Sequence, residues 1–132
     1  MTISADTVTP AEATAVNVYQ AIGGRPAVTA AVDGFYERLL ADPVLSGFFP
    51  GGVAAKHRAY VVTILGEALG GPERYRGPDL ARAHRRLGIT NADFDRTAVL
   101  LAETLDSLGV PGHLADYIVG VVAGLRPALV TA

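Results

Sequence analysis

Two histidines and one tyrosine carry most of the chemistry this sequence offers. Three histidines and no cysteine occur in 132 residues, so a thiolate metal site is excluded. His84 has Leu80 one turn before it and Leu87 one turn after, with Arg82, Arg85 and Arg86 on the remaining surface. A neutral imidazole on an apolar stripe is a good ligand for ferrous or ferric iron held in a flat apolar macrocycle. It is also how a core histidine looks when hydrogen bonds satisfy it. His57 has the same two readings. On a 100° wheel it lies near the middle of a sector with Val53, Tyr60, Val61, Ile64 and Ala68, although Val62 and Leu69 make that helix apolar elsewhere too. Tyr36, on the flank of an apolar stripe, offers either a buried hydroxyl donor or a core tyrosine bonded to a carbonyl. Phe48 and Phe49 read as core residues by themselves, and Lys56 and Arg58 as a solvated helix edge.

Other chemistries lack their residues. Zinc is not favoured by three histidines without a thiolate. A di-iron bundle needs repeated Glu-x-x-His pairs, and none occurs. No glycine-rich phosphate loop follows a strand. The absence of cysteine removes disulfides, thiolate-ligated haem and the Cys-x-x-Cys-His attachment motif.

The elements that must position these residues are all helical. Thr9-Pro10-Ala11-Glu12 starts a helix by capping box and proline, and Gly23-Gly24 ends it, after a frayed Met1–Val8. Pro26 opens a second helix with Val28, Val32, Phe35, Tyr36 and Leu39 on one stripe, stopped by Asp42-Pro43. An aromatic corner at Phe48-Phe49-Pro50-Gly51-Gly52 precedes a helix from about Val53 to Leu69, closed by Gly70-Gly71-Pro72. Pro72 to Pro78 reads as loop and Asp79 to Arg86 as a short helix. Thr90 and Asp93 cap a helix with Phe94, Ala98, Leu101, Leu105 and Leu108 on its stripe, and the last helix spans roughly Gly112 to Leu125. Period-two alternation is missing, so the fold class is all-α, with residues 1–132 as one domain.

Net charge of −2 with half the residues hydrophobic describes one ordinary folded domain with no broad basic face for nucleic acid. The first 17 residues hold no Lys or Arg and no apolar stretch, so they do not read as a signal peptide. The longest apolar run, Tyr117 to Leu125, is about half the ~20 residues of a membrane span. The expected location is the cytoplasm.

Taken in order, several segments resemble the truncated haemoglobins of group I. They are Tyr19-Gln20-Ala21-Ile22-Gly23-Gly24, then Phe35-Tyr36-Glu37-Arg38-Leu39-Leu40-Ala41-Asp42-Pro43, the corner Phe48-Phe49, and Ala68-Leu69-Gly70-Gly71-Pro72. Ala81-Arg82-Ala83-His84-Arg85-Arg86-Leu87-Gly88-Ile89-Thr90 follows, and Gly109-Val110-Pro111 marks the turn into the last helix. The resemblance covers Tyr19 to about Leu125.

It implies a two-over-two helical sandwich around non-covalent haem b, with His84 as the proximal iron ligand. Tyr36 and His57 become the distal pair that steadies a ligand. Phe49, Lys56, Val61, Tyr75, Leu80, Ile89 and Phe94 become haem contacts, Lys56 and Tyr75 at the propionate edge. The implied partners are diatomic gases (O2, NO, CO) and a reductase; the oligomeric state stays open between monomer and weak dimer. The implied function is reversible oxygen binding, with nitric oxide dioxygenation or a weak peroxidase activity attached to it. The alternative is a six-coordinate haem redox or gas-sensing protein. Two departures matter: Val61 stands where many group I members carry glutamine, and Tyr60 stands where some relatives carry an iron-binding histidine. No histidine follows His113, so a covalent bond from the last helix to haem is not expected.

Overall fold

Gly23 and Gly24 take φ of 118° and 72°, a left-handed pair that only glycine adopts without strain, and the chain turns sharply there. The turn divides α1 (Asn17–Ile22) from α2 (Gly24–Ala41) in the computed structural model, which describes residues 17–77 and 79–132. One turn of 3-10 helix (Leu45–Phe48) follows, then α3 (Ala55–Ala68), α4 (Leu80–His84), α5 (Asn91–Ser107), α6 (Gly112–Ala123) and α7 (Arg126–Leu129). The described residues contain no strand. The expected helix start at Thr9 and the fraying of Met1–Val8 lie outside them.

Two helix pairs form the body: α2 packs on α3, α5 packs on α6, and α2 crosses α5 to join the pairs. The crossing is close because Gly34 faces Thr104, where a Cβ would come within 3.0 Å of the threonine methyl. Thr104 is fully buried and satisfies its hydroxyl on the Leu100 carbonyl at 2.8 Å. Val28, Val32, Tyr36, Leu39, Leu101, Leu105, Leu114 and Ile118 fill the space between the pairs. The short α4 instead packs on α7, and the backbone N–H groups of Thr131 and Ala132 donate to the Ile89 carbonyl.

Several expectations need correction. Tyr36 is inside α2's buried stripe at 5% exposure, not on its flank. The deeply buried line of α3 is Val62 and Gly66, continuing to Leu69 after the helix. The sector around His57 is only half-buried, Ala68 is exposed, and Val53 precedes the helix. α3 is apolar on more than one face, and the wheel gave no ground for choosing the face that meets α2. Leu87 lies beyond α4 and is 38% exposed, so it does not flank His84 as helical core. Leu108 ends α5 as a 47% exposed cap. The last helix stops at Ala123, and the separate α7 begins at Arg126-Pro127, where proline fits the first turn.

Asp42 ties three elements at one point. Its Oδ1 accepts the backbone N–H groups of Val44 (2.9 Å) and Leu45 (3.0 Å), and its Oδ2 is paired by Arg96 of α5. The Leu45 N–H is the strongest influence holding this carboxyl below its ordinary range, and Arg96 adds to it against the opposing effect of burial. A lowered carboxyl stabilises the fold above its unfolded value of about 3.9 and loses that contribution as pH falls through the folded value. Asp42→Ala therefore lowers Tm at pH 7 by several degrees, and the difference from the unmodified chain narrows at pH 3. Parallel thermal melts at the two pH values check this; a gap that stays constant removes the titration from the account.

Candidate haem site

Helix α4 is five residues long, and His84 is its last. Asp79 caps it, accepting the Arg82 N–H at 3.0 Å, and so fixes where the helix begins. One turn later the His84 ring meets the Leu80 carbonyl, with Nδ1 at 2.8 Å. A carbonyl only accepts, so Nδ1 carries the proton, and in the neutral ring Nε2 is left with its lone pair. This donor set suits a proximal iron ligand, whose other nitrogen is ordinarily held by a backbone carbonyl or carboxylate.

The second imidazole, His57, is half-buried on α3. Its Nε2 lies 2.9 Å from the Tyr36 hydroxyl on α2. Either group can be the donor: the tyrosine gives its proton to Nε2, or an Nε2–H donates to the phenol oxygen and frees the hydroxyl proton. Burial pushes the Tyr36 hydroxyl up to about 12, so it stays protonated at any physiological pH. Burial also lowers His57, and the influence of His84 pushes the same way. A neutral His57 at pH 7 keeps both donor arrangements open.

Phe49 completes this group. Its ring meets Tyr36 edge-on at 5.7 Å and His57 at 6.3 Å, after the 3-10 turn and before Gly51-Gly52. Val61, one turn beyond His57, is half-buried against the core, as are Val53 and Leu65. Leu80 and Ile89 are half-buried around His84 in sequence. Half-buried apolar side chains on both α3 and the α4 segment, with an imidazole on each, fit a flat apolar macrocycle. Among the described residues no three His, Asp or Glu side chains come together to hold a bare ion, so a ring-bound iron suits this donor set better.

A second group forms the rim. Lys56 is exposed with its Nζ 5.7 Å above the Tyr60 ring, and Tyr60 meets Tyr75 edge-on at 5.8 Å. A cleft of about 300 Å³ opens beside them, lined by Tyr60, Thr63, Arg74, Tyr75, Arg76 and Gly77. The structure thus gathers Tyr36, His57 and Phe49 at one place and Lys56 and Tyr75 at another. Phe94 stands apart: it is buried on α5 outside the main core, beneath the Arg126 guanidinium at 4.6 Å.

Sequence reasoning missed Arg58 and the supports of the loop before α4. Arg58 is half-buried, pairs with Asp33 at 3.1 Å and sits 5.6 Å from the Tyr36 ring. In the loop, Glu73 accepts the Tyr19 hydroxyl at 2.5 Å, and Glu67 accepts the Tyr75 N–H at 2.9 Å. None of these pairs shares a local motif, so no spacing in the sequence announces them.

The comparisons with known proteins agree with this geometry. The family model described as bacterial-like globin matches residues 17–131. A group 1 truncated haemoglobin of Mycolicibacterium paratuberculosis is 38% identical over 115 residues, covering 87% of this chain and 85% of that one. A second, from Synechocystis sp., is 38% identical over 108 residues, with 79% of this chain and 87% of that one covered. Among solved structures, the Fe(III) form of Tetrahymena pyriformis truncated haemoglobin superposes with a TM-score of 0.80 at 31% identity, covering 86% and 97% of the two chains. The 2/2 haemoglobin of Synechococcus sp., in a cyanomet state with covalently attached haem, gives 0.79 at 31% identity, covering 87% and 98%. With its helix pairs and these relatives, the chain belongs to the bacterial-like globins and is a truncated haemoglobin of the group 1 kind, a haem-binding family with the two-over-two fold.

Proposed function

We propose that this chain holds haem b non-covalently through His84 Nε2, and that Tyr36 and His57 steady a diatomic ligand on the opposite side. The carrying observation is the Tyr36–His57 hydrogen bond together with a His84 ring whose Nδ1 is already committed to Leu80. Ferrous haem, when held by His84, would supply a reversible site for O2, NO or CO and the one electron that conversion of nitric oxide and dioxygen to nitrate requires. Non-covalent attachment is favoured because the histidine nearest the last helices, His113, is exposed at the start of α6 and none follows it.

Tyr36 does the principal work at the distal side. Its ring is fixed by Phe35 and Phe49, and its hydroxyl stays protonated, so a hydrogen-bond donor is always available there. His57 orients that hydroxyl and lends an N–H of its own. Val61 offers nothing polar, so no third donor compensates. Such a donor is worth roughly 1–3 kcal/mol in a dry pocket, about a five- to hundred-fold slowing of release. Slow release suits nitric oxide consumption better than rapid oxygen carriage. The hydrogen bond also occupies His57 Nε2, which supports a five-coordinate resting iron over the six-coordinate sensor.

Along the rim, Lys56 and Tyr75 with the adjoining cleft would meet the anionic propionates. Exposed contacts of this kind contribute at most about 1 kcal/mol each.

Three outcomes test these assignments. His84→Ala loses most of its haem on purification, and added imidazole restores part of it; a variant with unchanged haem content and spectrum places the iron elsewhere. Tyr36→Phe releases oxygen at least tenfold faster in stopped flow, His57→Leu accelerates less, and the double variant falls short of the product because the two donors are coupled. An unmodified release rate in Tyr36→Phe would overturn the distal role and the preference for nitric oxide dioxygenation. Lys56→Ala speeds haem transfer to an apoglobin acceptor modestly without altering ligand rates; no change removes Lys56 from the rim.

A further inference from the structure

The segment that carries His84 also carries half the arginines of the protein. Arg74, Arg76, Arg82, Arg85 and Arg86 fall within thirteen residues that contain one acid, Asp79, a net +4 in a chain of net −2. All five are exposed. The one acid is engaged in capping the Arg82 N–H, and Glu73 just before the segment is turned inward to Tyr19. Arg74 donates to the carbonyls of Gly71 (3.3 Å) and Glu73 (2.7 Å). By contrast Arg25, Arg58, Arg96 and Arg126 each pair with a carboxylate, whereas Arg76, Arg82, Arg85 and Arg86 have no ion-pair partner among the described residues.

The pattern is directional. At 100° per residue Arg82, Arg85 and Arg86 fall within about 100° of one another, and His84 points to the opposite side. Arg85 keeps helical dihedrals (φ −53°, ψ −39°), so the wheel holds past the end of the helix. The imidazole therefore faces inward while the guanidinium groups face outward from the same turn. Four unpaired cations on one short segment, with −6 on the rest of the chain, form a strong local field that steers an anionic partner to this face.

We infer that this arginine face is the docking surface for an acidic one-electron carrier protein that reduces the haem iron, an inference that rests on the haem-binding reading above. One electron leaves the reduced carrier and converts ferric iron to ferrous, the carrier is oxidised by one electron, and no bond is made or broken. Tunnelling falls steeply with distance, and the turn that bears His84 would link this face covalently to the iron. The observations favour a carrier over the other polyanions. A five-residue helix followed by a single exposed leucine, Leu87, is too small to seat in a lipid surface. A nucleic-acid duplex would lay its uniform charge across the acidic remainder, whereas a small protein with a local acidic patch touches the basic face alone.

The test uses the haem-loaded full chain with an acidic plant-type [2Fe–2S] ferredoxin as probe. Binding of the oxidised probe is followed by titration of the 15N-labelled chain, and reduction by the reduced probe is followed in the Soret band at 20 and 200 mM salt. Expected are shifts centred on residues 76–86 and a reduction rate that falls at least tenfold with salt. Arg82→Glu/Arg85→Glu/Arg86→Glu lowers the low-salt rate at least tenfold, with the Soret position and haem-loss rate unchanged. If the triple variant does not fold, Arg82→Gln and Arg86→Gln, taken singly, each lower the rate two- to fivefold. A normal Soret band with probe binding and rates indifferent to these changes overturns the inference alone. So does arginine-dependent binding to phosphatidylserine vesicles or to a 20-bp duplex without binding to the ferredoxin. A chain that gives no Soret band with haem overturns the haem reading, and this inference with it.

Discussion

His84 terminates a helix too short to be stable on its own, and the orientation of its ring is set by one contact, the 2.8 Å bond from Nδ1 to the Leu80 carbonyl. The rest of the proximal side serves to keep that turn in place. Asp79 fixes the start of the helix through the Arg82 N–H. Packing on α7 supports its body, and the Thr131 and Ala132 N–H groups on the Ile89 carbonyl tie the chain's last described residues to the segment just beyond it. Upstream, the loop from Gly71 is held by Glu73 on Tyr19 and by Glu67 on the Tyr75 N–H. Each of these bonds is modest, roughly 1 kcal/mol net, and together they replace the helical length that α4 lacks.

The distal side meets the opposite problem. Tyr36 is supported by a long helix in the core, so its position is secure but its hydroxyl is a buried polar group that must find a partner. His57 is that partner, and because it is only half-buried it can give up the bond to another acceptor without leaving an orphan. Arg58 adds a cation near the ring, held off by Asp33, which opposes the rise in the Tyr36 hydroxyl without overcoming burial. Core packing thus fixes the tyrosine and solvent access leaves the histidine adjustable.

Local signals in the sequence were read well. The capping box at Thr90 and Asp93 forms with both of its bonds present, at 3.0 and 3.1 Å, and the Asp42-Pro43 stop ends α2 where expected. The all-α class follows from helical stripes without period-two alternation, and the globin family from ordered short motifs, none of them specific alone. What the sequence withheld depends on packing between distant segments. The inner face of α3 is not decided by periodicity, because apolar residues occur on several sides and tertiary packing buries Val62 and Gly66, the latter beside the Glu73 side chain. The last helix reads on to Leu125, past its end at Ala123, because Gly124 and Leu125 carry no strong stop, and the four-residue α7 beyond it is not announced by the sequence. Arg58 looked like a solvated edge because its partner Asp33 lies 25 residues away.

The two histidines invite one reading of charge across the molecule. On the inner side, His57 is pushed toward neutrality by burial, and the His84 ring commits Nδ1 to the Leu80 carbonyl. The positive charge that a proximal helix would carry is displaced outward to Arg82, Arg85 and Arg86 on the other side of the same turn. This separation has a physical consequence. Guanidinium groups stay charged at any physiological pH, so the outer face remains cationic whatever protons the inner imidazoles gain or lose. A short helix can therefore present an imidazole to one side and a fixed field to solvent on the other. The first depends on the Leu80 carbonyl, and the second on the absence of acidic neighbours other than Asp79, whose carboxylate is already engaged at the helix start.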